Sequence, residues 1–333
     1  MKKVFLTLLI LIILGYWFGP QPEAPKLLTE PNWKNIPDSA LAISHFVDSV
    51  EAQNKNIKPN NQARVIFADS AHPKKTKVVF LYVHGFSASQ MEGDPVHRNV
   101  AKAFGANLVL ARVAGHGEQT SDHIFEKTSA DDMYQSVENY YALAKKLGEE
   151  VVVLGTSFGG AMSVFLAKNH PEMKALILYG PCIKIADPAA VVLDKPWGLQ
   201  LARLILKGEN RDIPSKNPLH QQYWSLHYRL EGPVAMQNFL SHTMTKEVFN
   251  GVKVPLYLTY YYKDEQHQDD VVSVKAMREM FPEIGTADSL KKEEAFPLSG
   301  YHVMTSPILG KHVEIVTQKS IEYLENTVKL KRI

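Results

Sequence analysis

The sequence contains a single cysteine, Cys182, among its 333 residues, which excludes a disulfide within the chain. It also lacks an excess of either charge, since 37 basic residues stand against 35 acidic ones. A nucleic-acid-binding surface needs basic residues concentrated on one face, so we expect no nucleic-acid partner. Neither an internal repeat nor a low-complexity tract is evident, and a repeat architecture is not expected. The hydrophobic share of 45% is typical of a globular protein with a sizeable core.

The N-terminus has the features of an export signal, because Lys2-Lys3 is followed by an apolar run at residues 4–18. The run has no small-x-small cleavage site and no lipobox cysteine, and it is slightly short of the about 17 residues that span a bilayer. Its aromatic end, Tyr16-Trp17-Phe18, suits a membrane interface and favours an uncleaved signal-anchor. A cleaved signal peptide stays open for residues 1–19. The anchor would hold the rest of the chain outside the cytoplasm (periplasmic or extracellular if bacterial), with the Pro-rich residues 20–36 as a stiff linker.

Beyond this segment, strand-like and helix-like patterns alternate along the chain. Strands are predicted at residues 64–68, 77–83, 107–113, 150–154, 175–179, 255–262 and 294–297. Helices are predicted at residues 38–53, 93–104, 130–147, 160–169, 271–280 and 313–330. Several of the strands are continuously apolar, as strands buried on both faces of a sheet must be. The order predicts an α/β protein with a mostly parallel central sheet and helices on both faces.

The alternation stops between residues 183 and 250, where apolar segments are separated by prolines. Helices are predicted there at residues 197–206, 223–230 and 234–239. The stretch is too long for a simple loop and too short for an independent domain. It therefore predicts a helical lid inserted between two strands. The core would then consist of residues 37–182, beginning with the helix at 38–53, and residues 251–333.

The most informative motif is Gly155-Thr156-Ser157-Phe158-Gly159, which lies between the apolar run at residues 151–154 and a predicted helix. A serine at such a junction predicts a nucleophile elbow. The turn must be sharp so that the hydroxyl of Ser157 projects away from the sheet, and Gly155 and Gly159 leave room for it. A serine hydroxyl needs a base to accept its proton and an acid to orient that base.

The expected base is His302, which lies in a glycine-containing loop between the last predicted strand and the C-terminal helix. The expected acid lies in the loop after the strand at residues 255–262, where three aspartates compete. Asp269 is preferred because it precedes the apolar pair Val271-Val272, which would fix its carboxylate near the turn. Asp264 and Asp270 stay open as alternatives.

Acyl transfer passes through an oxyanion, which backbone N–H groups stabilise when they are held in place beforehand. The first expected donor is the N–H of Phe158, directly after the nucleophile. The second is the N–H of Phe86, in the loop after the strand at residues 77–83. His84 in that loop precedes the serine, the wrong order for the base in this arrangement, and is expected to organise the loop. Cys182 is expected to be a structural thiol.

The motifs together resemble the α/β-hydrolase superfamily, and most closely the branch of monoacylglycerol lipases, carboxylesterases and serine aminopeptidase-like hydrolases. The resemblance covers about residues 64–330 and rests on His84-Gly85-Phe86, Gly115-His116-Gly117, Gly155-x-Ser157-x-Gly159, an acid before Val271-Val272, and Gly300-Tyr301-His302-Val303. It implies the α/β-hydrolase fold, with Ser157 as nucleophile, His302 as general base and acid, and Asp269 as orienting acid. The acid loop departs from the family pattern, which usually has a short glycine-containing turn at this point.

The resemblance implies a serine hydrolase that cleaves a carboxylic ester through an acyl-enzyme on Ser157, without a metal or organic cofactor. Bulky apolar residues in the predicted lid favour a lipid or other acyl ester as substrate. Aminopeptidase-like and thioesterase activities stay open, as does a non-catalytic envelope-binding protein of the same fold. An aminopeptidase would need an acidic patch for the substrate amine, and Glu209, Asp212 and Glu231 are scattered in the sequence. The oligomeric state is not predicted.

Overall fold

A computed structural model of the chain describes residues 15–333. The strands are β1 Arg64–Ile66, β2 Thr76–Val83, β3 Asn107–Leu110, β4 Gly148–Thr156, β5 Ala175–Tyr179, β6 Asn210–Asp212, β7 His227–Arg229, β8 Leu256–Tyr260, β9 Tyr262–Asp264, β10 His267–Gln268 and β11 Lys291–Ala295. The longer helices are α1 Ala40–Glu51, α2 Val96–Ala103, α3 Ala130–Leu147, α4 Ser157–Asn169, α5 Gly198–Leu206, α6 Pro218–Tyr223, α7 Glu231–Thr243, α8 Lys246–Gly251, α9 Val274–Glu283 and α10 Val313–Asn326.

A seven-stranded sheet in the order β1-β3-β2-β4-β5-β8-β11 forms the centre of the protein. Its strands are parallel except for β1, which runs antiparallel to β3. The predicted mostly parallel sheet surrounded by helices is therefore confirmed. The central strands are buried almost throughout, as their continuous apolar runs require.

The strand register brings separate parts of the sequence to one edge of the sheet. Val83 at the end of β2 pairs with Gly155 of β4, and Thr156 at the end of β4 pairs with Tyr179 at the end of β5. Tyr179 pairs in turn with Thr259 of β8. The loops that follow these strands therefore leave the sheet side by side, at the carboxyl edge where ligands of parallel sheets bind.

Residues 183–250 form an insertion between β5 and β8 that contains α5, α6, α7 and the antiparallel pair β6–β7. The helix predicted at residues 223–230 is wrong: α6 ends at Tyr223, and His227–Arg229 is a strand because it pairs with Asn210–Asp212. The insertion contacts the carboxyl edge of the sheet, since the Ser225 N–H donates to the Ser87 carbonyl at 2.7 Å. Trp224 packs against Ala88 and Val303.

The Pro-rich segment predicted as a linker lies against the core. The N–H of Leu27 donates to Asp131 of α3 at 2.6 Å, and the Asn238 amide of α7 donates to the Glu23 carbonyl at 2.8 Å. A cavity of about 450 Å³ lies between residues 20–26, α3, α5 and α7. Most of the predicted signal segment, residues 1–14, lies outside the described residues. Among residues 15–333, no helix is both long and apolar enough to cross a membrane.

Candidate active site

Ser157 occupies the junction of β4 and α4 in a left-handed backbone conformation, with φ of 52°. This conformation is strained for a residue with a side chain. The glycines on either side permit the close packing around it. A Cβ at Gly159 would lie 2.2 Å from the Val83 carbonyl oxygen, and one at Gly155 would lie 2.8 Å from the Cα of Gly160. The local sequence thus forms the sharp strand-to-helix turn that a nucleophile elbow requires.

His302 and Asp269 form a buried hydrogen-bonded pair. The Nδ1–H of His302 donates to Oδ2 of Asp269 at 2.6 Å, and the two side chains are 5% and 0% exposed. The other carboxylate oxygen, Oδ1, accepts the backbone N–H groups of Val271 and Val272 at 2.9 and 3.0 Å. Both oxygens of Asp269 are therefore held in place, and so is the tautomer of His302 that leaves Nε2 free.

The alternative acids, Asp264 and Asp270, form no hydrogen bond with His302 in the described part of the chain. Asp264 is about half exposed and accepts a hydrogen bond from His267 within the β9–β10 hairpin. Asp270 is exposed at the surface. The acid loop is longer than the family pattern because it contains this hairpin, and the chain returns to the sheet edge only at Asp269.

Nε2 of His302 is buried and has no hydrogen-bond partner in the described part of the chain. Ser157 therefore does not donate to it in this structure, although hydrogen bonds of this kind are often long before substrate binds. Ser157 and His302 are nevertheless both next to the loop after β5. The Cys182 N–H of that loop donates to the Ser157 carbonyl at 2.8 Å. A Cβ at Gly180 of the same loop would lie 3.4 Å from the His302 ring.

The pKa of His302 is raised above that of an ordinary histidine. Burial by itself lowers the pKa, because it disfavours the charged imidazolium. The charge and hydrogen bond of Asp269 raise it, and the nearby carboxyls of Glu92 and Asp270 add smaller contributions in the same direction. The net result is a histidine that accepts a proton more readily than it would in water.

The Phe86 loop has the form expected of an oxyanion site. Among residues 15–333 the Phe86 N–H finds no backbone acceptor. Phe158 is the second residue of α4, and the first N–H groups of a helix have no acceptor within the helix. The two aromatic rings lie near each other, with centroids 6.4 Å apart. Both predicted donors therefore belong to neighbouring segments beside Ser157.

His84 organises this loop through hydrogen bonds of both its ring nitrogens. Its Nε2 accepts the N–H of Val113 at 3.1 Å, so the proton is on Nδ1, which donates to the Gly85 carbonyl at 2.9 Å. Complete burial lowers the pKa of His84 to about 4. His116 is likewise buried, and its Nδ1 donates to the Ala114 carbonyl at 2.9 Å. Both histidines are neutral supports of the loops that carry them.

Aromatic side chains surround Phe86 on the side of the insertion. Its ring centroid lies 4.8 Å from that of Phe125 and 5.5 Å from those of His116 and Tyr228. Tyr228 belongs to β7, so the insertion contributes to this cluster. An apolar wall beside a few fixed polar groups is typical of a small-molecule site.

Sequence reasoning missed Glu92, which is 2% exposed and lies beside the Gly85 backbone. Its Oε2 accepts the Gly85 N–H at 2.6 Å and the Tyr82 hydroxyl at 3.2 Å. Burial raises the pKa of Glu92 to about 7, although the Gly85 N–H, His302 and Tyr82 each favour its charged form. In the sequence, Glu92 is marked only by its place seven residues after the glycine of His84-Gly85-Phe86, and no motif or hydrophobic pattern distinguishes it from other acids.

The buried His302–Asp269 pair, the strained serine and the parallel sheet define an α/β-hydrolase. A family model described as serine aminopeptidase, S33, matches residues 74–292, which is more than half of the chain. The chain belongs to this family.

One relative in sequence is a lipase. A thermostable monoacylglycerol lipase of Bacillus sp. (strain H-257) is 30% identical over 138 residues, which are 41% of this chain and 53% of that protein. The matched part of the chain thus spans about half the length of this relative.

Among solved structures, a metagenome-derived lipolytic enzyme from work on LipS and LipT has a TM-score of 0.64 at 16% identity, over 81% of this chain and 99% of its own. The monoacylglycerol lipase of Paleococcus ferrophilus has a TM-score of 0.58 at 15% identity, over 81% and 98%. These likenesses show the fold. With the family match and the Bacillus relative, they identify a lipase/esterase-like α/β-hydrolase.

Replacing Asp269 with asparagine should show whether Asp269, and not another aspartate of the loop, supports His302. An amide cannot hold His302 in the same tautomer, so kcat of Asp269→Asn should fall by about 10⁴-fold toward an ester substrate. Asp264→Asn is the matched control, since it changes an exposed carboxylate of the same loop, and its kcat should stay within about twofold. Circular dichroism would confirm that both variants fold. Equal losses in the two variants would contradict the assignment of Asp269.

Proposed function

We propose that this protein is a serine hydrolase that cleaves carboxylic esters through an acyl-enzyme on Ser157. The observation that carries the proposal is the His302–Asp269 pair with its 2.6 Å hydrogen bond. The buried Nε2 of His302 has no partner among residues 15–333, and it belongs to a loop beside the strained Ser157. A base with a raised pKa and a fixed tautomer is suited to accept the proton of a serine hydroxyl. The relatives' lipase and esterase activities support the same reaction class.

In the proposed reaction, Oγ of Ser157 attacks the ester carbonyl carbon while its proton moves to Nε2 of His302. The carbonyl oxygen becomes an oxyanion that accepts hydrogen bonds from the N–H groups of Phe86 and Phe158. The C–O bond to the alcohol then breaks, and His302 returns the proton to the leaving alcohol. A water molecule, deprotonated by His302, attacks the acyl-enzyme, and the acid leaves as Ser157 recovers its proton. Asp269 keeps its negative charge and stabilises the imidazolium throughout.

An acyl ester of apolar character is the proposed substrate class. The wall formed by Phe86, Phe125 and Tyr228 offers apolar contact beside the nucleophile. The insertion adds Trp224, which packs with Val303 next to the base. A monoacylglycerol lipase among the relatives supports a lipid ester in particular.

The acidic residues of the insertion do not favour aminopeptidase activity. Glu231 is paired with Arg229 and Arg203 at 2.8 Å each, and Arg229 is paired with Glu209 as well. Asp212 is paired with His227 at 2.6 Å. Because Glu209 and Glu231 are already matched by two arginines, they attract a substrate amine weakly and do not form the amine-binding patch that an aminopeptidase would need. Thioester cleavage uses the same catalytic groups and is tested with the ester series below.

Covalent labelling distinguishes an enzyme from a binding protein of the same fold. A fluorophosphonate probe should label the folded wild type on Ser157, because only an activated serine displaces the fluoride at a useful rate. Ser157→Ala should abolish labelling and hydrolysis of p-nitrophenyl esters from acetyl to palmitoyl and of the matching acyl thioesters. Ser320→Ala, which removes another buried hydroxyl, is the control and should retain both. An unlabelled wild type that hydrolyses none of these esters would favour the non-catalytic binding protein.

The acid limb of the pH profile should report His302. Only the neutral imidazole accepts the serine proton, and a raised pKa keeps the ring protonated to higher pH. We expect kcat/KM to fall with decreasing pH through a midpoint above 6.5, the ordinary value for histidine. The measurement is kcat/KM for a soluble p-nitrophenyl ester between about pH 5 and pH 9. Full activity down to pH 5 would contradict the role given to His302.

We propose further that the chain is exported and held at the outer side of the cytoplasmic membrane by its N-terminal segment. Lys2-Lys3 and the apolar residues 4–18 support this proposal. Trp17 and Phe18, which end the run, are 70% and 84% exposed and suit a membrane interface. In a bacterial host, the full chain should sediment with membranes and be degraded by protease added to spheroplasts. A chain lacking residues 1–19 should stay in the cytoplasm, and identical fractionation of the two would contradict the proposal.

A further inference from the structure

Glu92 lies where three segments of the site meet. Its carboxyl accepts the N–H of Gly85 in the oxyanion loop, and its backbone carbonyl accepts the Thr305 hydroxyl at 2.6 Å, three residues after the base. The Tyr82 hydroxyl, which contacts the carboxyl, also lies 3.0 Å from Oγ1 of Thr156, the residue before the nucleophile. One buried acid thus connects the loops of the oxyanion donor, the base and the nucleophile.

The hydrogen bonds around Gly85 determine the direction of the Phe86 N–H. The Gly85 carbonyl shares a rigid peptide plane with that N–H and points the opposite way. It accepts Nδ1–H of His84 at 2.9 Å and the Ala88 N–H at 3.3 Å, which fixes this plane. Glu92 fixes the preceding plane through the Gly85 N–H. Both peptides of Gly85 are held, so the Phe86 N–H has a single orientation.

Glu92 is also close to the nucleophile. A Cβ built on Gly85 would lie 2.8 Å from Oε1 of Glu92 and 2.8 Å from Cβ of Ser157. The carboxyl and the serine therefore both lie where a side chain of residue 85 would stand. At such short range in a buried site, the charge on a carboxyl acts strongly on its neighbours.

We propose that Glu92 is a positioning residue of the catalytic site: its carboxyl orients the oxyanion loop beside Ser157, and when it is ionised its charge stabilises the imidazolium of His302. The inference rests on the proposed ester hydrolysis for its kinetic part alone. Glu92 touches neither the reacting bond nor the base directly, and acts through the Gly85 backbone and through space.

The groups that act electrostatically on His302 come from several elements. Asp269 and Asp270 belong to the acid loop, and Glu92 belongs to the loop after β2. Cys182 lies in the loop after β5 and stays a neutral thiol, because burial raises its pKa. Removing the Glu92 carboxylate leaves two acids near the ring. The pKa of His302 should then fall without losing the Asp269 hydrogen bond.

Two variants separate the two roles of Glu92. Glu92→Gln retains an oxygen that can accept the Gly85 N–H and removes the charge, whereas Glu92→Ala removes both. Glu138→Gln is the matched control, because Glu138 is an equally buried glutamate hydrogen-bonded to Tyr134 and His170. His170 follows the last residue of α4, about 20 Å along the helix from Ser157. Circular dichroism and thermal unfolding of each full-length variant establish that it is folded.

The first readout is the titration of the His302 ring by NMR, which needs no catalytic activity. In Glu92→Gln the His302 pKa should fall by on the order of half a unit relative to wild type and to Glu138→Gln. The second readout is the rate of ester hydrolysis, divided by the amount of protein that the fluorophosphonate probe labels. In Glu92→Ala kcat should fall at least about tenfold with a smaller change in KM, because a misdirected oxyanion donor acts in the transition state. Glu92→Gln should recover a substantial part of that loss.

The outcomes that overturn the proposal are distinct from those that overturn ester hydrolysis. An unchanged His302 titration in Glu92→Gln refutes the electrostatic role, whatever the activity. Equal losses of kcat in the two Glu92 variants, with an unmoved acid limb, show a merely structural side chain and refute the positioning role. A wild type without esterase activity refutes the proposed reaction, while the NMR titration still decides whether Glu92 acts on His302.

Discussion

At the junction of β4 and α4, backbone atoms of neighbouring segments approach each other more closely than side chains would allow. A Cβ on Gly159 would lie 2.2 Å from the Val83 carbonyl and 2.4 Å from that of His84. This contact sets α4 directly against the end of β2, and it depends on the positive φ of Ser157. The loop that carries Phe86 begins at His84, so its position relative to the serine follows from this one approach.

The parallel sheet supplies the remaining groups to the same edge. Residues 85, 157, 180 and 302 are far apart in the sequence, yet each follows a strand of the central sheet whose carboxyl end is aligned with its neighbour by register. Residue 269 reaches the same edge through the β9–β10 hairpin that follows β8. Hydrogen bonds then determine the finer arrangement. Two backbone N–H groups fix Asp269, which fixes His302, while His84 and Glu92 fix both peptides of Gly85. Each chemical group is thus supported by another that performs no chemistry itself.

Much of the fold could be predicted from local sequence. The bounds of α3 and β5 are those predicted, because both have uninterrupted apolar patterns with clear ends. The strand predicted at residues 294–297 forms at Lys291–Ala295, since an edge strand rich in lysine and glutamate has no apolar run to mark it. Local sequence predicts a helix over the short strand His227–Arg229, because its strand partner Asn210–Asp212 lies on the other side of α6.

For the site, the glycines around Ser157 predicted the sharp turn between β4 and α4 that the structure has, while the catalytic roles of Ser157 and His302 stay predictions. Glu92 could be found only from the packing that buries it.

The proposed reaction requires Ser157 to be a nucleophile activated by His302. The most direct test is acid quenching of the wild-type protein within milliseconds of mixing with p-nitrophenyl acetate, followed by peptide mass spectrometry. An acetyl group should appear on the peptide containing Ser157, at up to one per chain, and should disappear as turnover ends. Rapid turnover with no acyl group on this peptide, or with the acyl group on Cys182, would contradict it.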